Sequence, residues 1–157
     1  MYSDTQLKTM SKKIGVSLTD VVCKDQLITQ PKNGNFIVNM QSSHDCITHK
    51  WQSGSHWLGI VALKNIVYFS DSFGFPPPQE VLKFIGKRPY IYNNKQIQNI
   101  TSYSCGMYAL CFIFWMNHLH GNPLQKMKQY QDMFDIDTTK NLKILKAMFQ
   151  HLVDTYK

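Results

Sequence analysis

The sequence has few cysteines, a single arginine and no long apolar run. Four cysteines in 157 residues (Cys23, Cys46, Cys105 and Cys111) are too few for a disulfide-dense scaffold, so we expect free thiols in a reducing compartment. No stretch of 18 apolar residues is present, and the N-terminus lacks a signal-peptide core; we therefore expect an intracellular protein without a membrane span. Because Arg88 is the only arginine, a cluster built for bidentate recognition of phosphate or guanine is excluded.

The charge is strongly basic. A net charge of +7 and a pI near 9.2 favour contact with an acidic partner such as nucleic acid. The lysines are spread along the chain, which is more typical of a solvated surface, so we expect at most weak, sequence-independent binding of DNA or RNA. The length and the hydrophobic content of 43% predict one domain over residues 1–157, and we expect it to be a monomer.

Hydrophobic periodicity outlines the remaining elements. The segment 16–28 is compatible with a short helix or a turn, and strands are predicted at Asn35–Met40 and Pro89–Ile97. Helices are predicted at residues 1–16, 79–85, 124–134 and 138–156.

Two apolar runs, HWLGIVAL and IVYFSDSF, are separated by Lys64 and Asn65 and predict a β-hairpin. With a two-residue turn, His56 faces Phe73 across the ladder. His56 and Asp71 then become diagonal neighbours on one face, close enough for their side chains to meet. A one-residue slip would separate them, and the alternative interpretation is a strand-end histidine and a turn aspartate.

The segment TSYSCGMYALCFIFWM places Cys105 where a small polar run opens onto a long apolar helix. Thr101, Ser102 and Ser104 are each suitable N-cap residues. Unpaired backbone N–H groups and the positive end of the helix dipole favour a thiolate there, which makes Cys105 the candidate nucleophile. The alternative is a buried cysteine that acts only as a small core residue.

Together with Gln98, these residues form a set suited to acyl transfer. A thiolate attacks a carbonyl, an imidazole moves the proton, a carboxylate holds the imidazole, and an amide N–H stabilises the oxyanion. A zinc site is the competing interpretation for four upstream residues, but their spacing matches no standard pattern and we predict no metal. Those residues are Cys23, His44, Cys46 and His49.

The order of these residues resembles the adenovirus-type cysteine proteases and the related proteases that remove ubiquitin-like proteins. An acid follows the histidine by 15 residues, and a glutamine precedes the cysteine by seven. The matching segments are NFIVNM, SGSHWLGIVA, YFSDSFGFPP and YNNKQIQNITSYSCGMYAL, and they are most similar to proteases of Polinton/Maverick elements and virophages. The resemblance covers residues 35–119.

The resemblance implies an α+β, papain-like fold in circularly permuted order, with a mixed sheet and a central helix that carries the nucleophile. It implies that His56 is the general base, Asp71 the acid, Gln98 the oxyanion donor and Cys105 the nucleophile. Trp57 matches the His-Trp pair of the family and is expected to contact substrate. The aspartate, where adenovirus enzymes have glutamate, is typical of the deconjugating branch.

Adenovirus enzymes also use a peptide cofactor tethered through a cysteine, and they are stimulated by DNA. Residues 87–97 contain no cysteine, so we expect no tethered cofactor, whereas stimulation by DNA is implied by the resemblance.

Three functions follow from the sequence. The first is a viral maturation endopeptidase that cleaves capsid or core precursors after a small residue such as glycine. The second is a protease that removes ubiquitin-like modifiers from host proteins. The third is a non-catalytic scaffold or nucleic-acid-binding module.

Overall fold

The computed structural model describes residues 2–44 and 56–157. The strands are β1 (Asp20–Cys23), β2 (Gly34–Asn39), β3 (Trp57–Ala62), β4 (Val67–Ser70) and β5 (Tyr90–Tyr92). The helices are α1 (Asp4–Lys13), α2 (Gln79–Ile85), α3 (Cys105–His118), α4 (Pro123–Asp132) and α5 (Asn141–Tyr156). Two 3-10 helices cover Lys24–Thr29 and Thr138–Lys140.

The five strands form one mixed sheet in the order β1-β2-β3-β4-β5. β3 is antiparallel to β2 and β4, while β1 and β5 run parallel to their neighbours. Ala62 lies opposite Val67, and the Leu63 N–H donates to the Ile66 carbonyl at 2.9 Å. The predicted hairpin and its register are therefore confirmed.

Helix α3 packs against the central strand β3. Gly59 permits the close approach, because a Cβ there would lie 3.0 Å from the Phe112 ring and 3.2 Å from the Ala109 carbonyl oxygen. Side chains of β3 alternate between two cores: Val61 faces α3, whereas Leu58 belongs to the cluster around α2 on the opposite face. The strand is buried along its whole length. Its first residue, Trp57, lies beside Gly106 at the start of α3.

Two predicted elements differ from the structure. Within the segment 16–28, Asp20–Cys23 forms a strand rather than a helix or turn, since its short apolar run finds a parallel partner in β2. The short helix predicted there is found only from Lys24 onward, as the 3-10 helix Lys24–Thr29. The strand predicted at Pro89–Ile97 ends at Tyr92, because Asn93 turns inward and its side-chain Nδ2 donates to the Asp71 and Lys95 carbonyls at 3.2 and 2.9 Å.

The expectation of four free thiols is wrong for Cys23, which is disulfide-bonded. A count of cysteines does not show which thiols the fold brings within bonding distance. Cys105 and Cys111 are free. Cys46 and His49, which belonged to the zinc interpretation, lie outside the described residues.

None of the described helices is both long enough and apolar enough to cross a bilayer.

Candidate active site

His56 and Asp71 form the centre of the site. His56 immediately precedes β3 and Asp71 immediately follows β4, so the hairpin brings both to the same end of the sheet. The imidazole Nε2 lies 2.7 Å from Asp71 Oδ1. The ring stacks on Phe73 with centroids 4.9 Å apart and planes 24° apart, as expected for residues that face each other across the ladder. The imidazole is thus held at one edge and on one face.

The Asp71 carboxylate is itself fixed. Oδ1 also accepts the Phe73 backbone N–H at 2.8 Å, and the side chain is nearly buried. The carbonyl oxygen of Asp71 accepts the side-chain amide of Asn93, which ties the turn to the segment after β5. The acid therefore needs no rearrangement to orient the histidine.

Cys105 is the first residue of α3, and its N-cap is Ser104, which makes no side-chain capping bond. The thiol is recessed, with 2% of the residue exposed. The start of α3 is closely packed, because a Cβ at Gly106 would lie 2.7 Å from Leu7 of α1 and 3.4 Å from Trp57. Packing against α1 and β3 thus sets the position of the sulfur.

His56 Nε2 hydrogen-bonds to Asp71, and the imidazole also interacts electrostatically with the Cys105 side chain. Since Nε2 faces Asp71, Nδ1 is the nitrogen left for the sulfur. Burial lowers the pKa of His56, but hydrogen bonds and charge attraction with Asp71 and Cys105 outweigh it and raise the pKa to about 9. An imidazolium is therefore stable beside the sulfur at neutral pH, as thiolate chemistry requires.

The structure distinguishes the two glutamines of the segment that precedes α3. Gln98 is buried, and its Nε2 donates at 2.9 Å to the carbonyl of Ser102, three residues before Cys105. Gln96 is exposed, and its amide donates to the Gln98 carbonyl at 3.1 Å. Of the two, Gln98 is thus the glutamine whose side chain is buried and tied to the segment that leads into α3.

Trp57 does not present the surface predicted for a substrate contact. It is 1% exposed, and its indole N–H donates to the Tyr2 carbonyl at 3.0 Å. Strand alternation turns Trp57 toward the start of α3, away from the face of its neighbour His56. Trp57 thus packs the N-terminal segment against α3.

Sequence reasoning missed Ser72 and Asn93, both buried polar residues that contact the site. The only sequence signal was the position of Ser72 directly after the candidate acid. Asn93 looked like part of a strand, so its inward turn carried no signal. Among the described residues, no group of three His, Cys, Asp or Glu side chains could hold a metal ion.

Replacing Asp71 by asparagine should lower the pKa of His56, because the largest pairing contribution comes from this carboxylate. The amide oxygen can still accept the Phe73 N–H, so the turn should persist. Turnover should fall, and the loss of kcat/KM that we expect as pH rises through about 9 in the wild type should move to lower pH.

The loss of stability in Asp71→Asn should also depend on pH, because the pKa of His56 is raised in the folded protein. A histidine with a raised pKa stabilises the fold below its unfolded pKa, and this contribution disappears as pH rises through the folded value. Urea unfolding should therefore show a larger loss at about pH 6 than at about pH 10. An unchanged pH profile and an equal loss at both pH values would show that another group orients His56.

Comparisons of the sequence found no matching protein-family model and no matching curated protein. Among solved structures, ChlaDub1 from Chlamydia trachomatis is similar with a TM-score of 0.54 and 16% identity, covering 92% of this chain and 76% of that chain. The ASFV pS273R protease matches with a TM-score of 0.46 and 18% identity, covering 75% of this chain. This chain spans 43% of the ASFV protease chain. The likeness to ChlaDub1 shows a shared fold, and the predicted α+β fold class is confirmed.

Proposed function

We propose that this protein is a cysteine endopeptidase. Cys105 is the nucleophile, His56 the general acid and base, Asp71 the residue that orients the histidine, and Gln98 the oxyanion donor. The observation that carries the proposal is the His56 imidazole, whose Nε2 lies 2.7 Å from Asp71 Oδ1 and which interacts electrostatically with Cys105 at the start of α3.

The reaction starts with His56 protonated and the Cys105 sulfur as the nucleophile. The Cys105 sulfur bonds to the substrate carbonyl carbon, and the carbonyl electron pair becomes an oxyanion beside Gln98. Protonated His56 then gives its proton to the leaving amine as the C–N bond breaks, which leaves a thioester. A water molecule attacks the thioester while His56 takes its proton, and the acid product and free Cys105 are released.

The recessed sulfur favours a small residue next to the scissile bond. Because only 2% of Cys105 is exposed, we expect a narrow approach to the sulfur that admits glycine more readily than a branched residue. We infer cleavage after glycine in a viral capsid or core precursor. Ubiquitin-like modifiers, which end in glycine, satisfy the same restriction and form the alternative substrate class.

The test compares two substrates directly. Purified protein is incubated with candidate capsid precursors and with ubiquitin-like modifiers carrying a thiol-reactive C-terminus, using Cys105→Ala as the matched control. Cleavage of a precursor after a small residue supports the proposal, while labelling by the modifier probe with intact precursors favours the alternative. If neither substrate reacts, the peptidase assignment is wrong.

A further inference from the structure

We propose that Ser72 is a positioning residue that fixes the side-chain amide of Gln98 for oxyanion binding. This inference rests on the proposed peptidase function and adds a residue to its machinery. Ser72 follows the acid Asp71 directly, so one turn would orient both the imidazole and the oxyanion donor.

Three hydrogen bonds join Ser72 to the glutamine segment. Its hydroxyl donates to Gln98 Oε1. Its backbone carbonyl accepts the N–H groups of Ile97 and Gln98 at 2.9 and 3.0 Å. Ser72 and Gln98 are 3% and 1% exposed, so water does not compete for these contacts. The turn at Asp71 and Ser72 and the segment at Ile97 and Gln98 are therefore one hydrogen-bonded unit.

The partners of Gln98 allow one orientation of its amide. Nε2 lies 2.9 Å from the Ser102 carbonyl oxygen, which can only accept. A reversed amide would place two acceptor oxygens together there. The Ser72 hydroxyl completes the arrangement, because it supplies a donor to Oε1 on the opposite side of the amide.

This orientation leaves one N–H unused. The Gln98 amide has two N–H bonds, one of which donates to Ser102, and the other has no hydrogen-bond partner among the described residues. A buried N–H without a partner is unusual and interacts strongly with a negative charge that forms beside it. The amide is therefore ready for an oxyanion before substrate arrives.

Loss of the Ser72 hydroxyl should loosen this orientation, because the Ser102 carbonyl would then be the remaining side-chain partner of the Gln98 amide. Oε1 would be buried without its donor, and the terminal torsion of a glutamine side chain is broad and weakly restricted. The backbone bonds from Ile97 and Gln98 would remain, since they end on the Ser72 carbonyl. The Ser72→Ala variant should consequently fold, while the side-chain amide of Gln98 samples unproductive orientations.

The test is a double-mutant cycle of Ser72→Ala and Gln98→Ala. Removing an oxyanion donor costs about 10²–10³ in kcat, and a misoriented donor should cost less, so we expect Ser72→Ala to lower kcat by about 10–100-fold with little change in KM. In the Gln98→Ala background, Ser72→Ala should change kcat by no more than about twofold, because its effect acts through the missing amide. Ser72→Thr, which retains a hydroxyl, should recover most of the activity.

The rate at which iodoacetamide alkylates Cys105 distinguishes this role from an effect on Cys105, His56 or Asp71. Displacement at a saturated carbon forms no oxyanion, so Ser72→Ala should be alkylated at close to the wild-type rate. Slower alkylation, an equal loss of kcat in both backgrounds, or wild-type turnover in Ser72→Ala would each overturn the proposal. Absence of turnover in the wild type itself would instead reject the peptidase function, and this inference with it.

Discussion

Replacing Cys105 by alanine should lower kcat by on the order of 10⁶, because removal of the nucleophile abolishes the covalent route. The His56–Asp71 pair should remain, since its 2.7 Å contact does not depend on the sulfur. Turnover of a glycine-containing precursor peptide, measured at matched protein concentration, gives the result.

Cys111 provides a matched control on the same helix. It is free and fully buried, and burial raises the pKa of its thiol to about 12, so it stays protonated and unreactive at neutral pH. Cys111→Ala should retain turnover, and iodoacetamide should label Cys105 before Cys111 in the wild type. An active Cys105→Ala variant, or peptide maps with Cys111 modified first, would show that the nucleophile is misassigned.

Replacing Gln98 by alanine should lower kcat by about 10²–10³, the usual cost of one lost oxyanion donor. KM should change little, because the contact forms only as negative charge develops. The variant leaves the Ser72 hydroxyl and the Ser102 carbonyl without their side-chain partner, which should reduce the free energy of unfolding by about 1–3 kcal/mol. Kinetics should therefore be measured well below the midpoint of thermal unfolding.

Gln96→Ala is the control for this substitution. Gln96 is exposed and two residues away, and its only side-chain hydrogen bond within the described residues goes to the Gln98 carbonyl. Turnover close to wild type is expected. A larger loss in Gln96→Ala than in Gln98→Ala would mean that the wrong glutamine was chosen.

The hairpin shows how far local pattern extends. Two continuous apolar runs and a two-residue turn predicted the pairing of β3 with β4, and that register predicted that His56 and Asp71 would meet. The start of α3 was equally local, because small polar residues followed by an apolar run mark a helix N-terminus. The short strands β1 and β5 were predicted less well, because their extent depends on neighbours distant in sequence.

The amino-acid sequence by itself determined the secondary structure around the nucleophile, the hairpin register and the identity of the chemically capable residues. Only the tertiary structure decided how those residues are held. Ser72 reaches Gln98 across 26 residues of sequence, and Trp57 reaches the Tyr2 carbonyl across 55. The physical reason is range: hydrophobic periodicity and turn chemistry act over a few residues, whereas buried polar contacts depend on packing between distant segments.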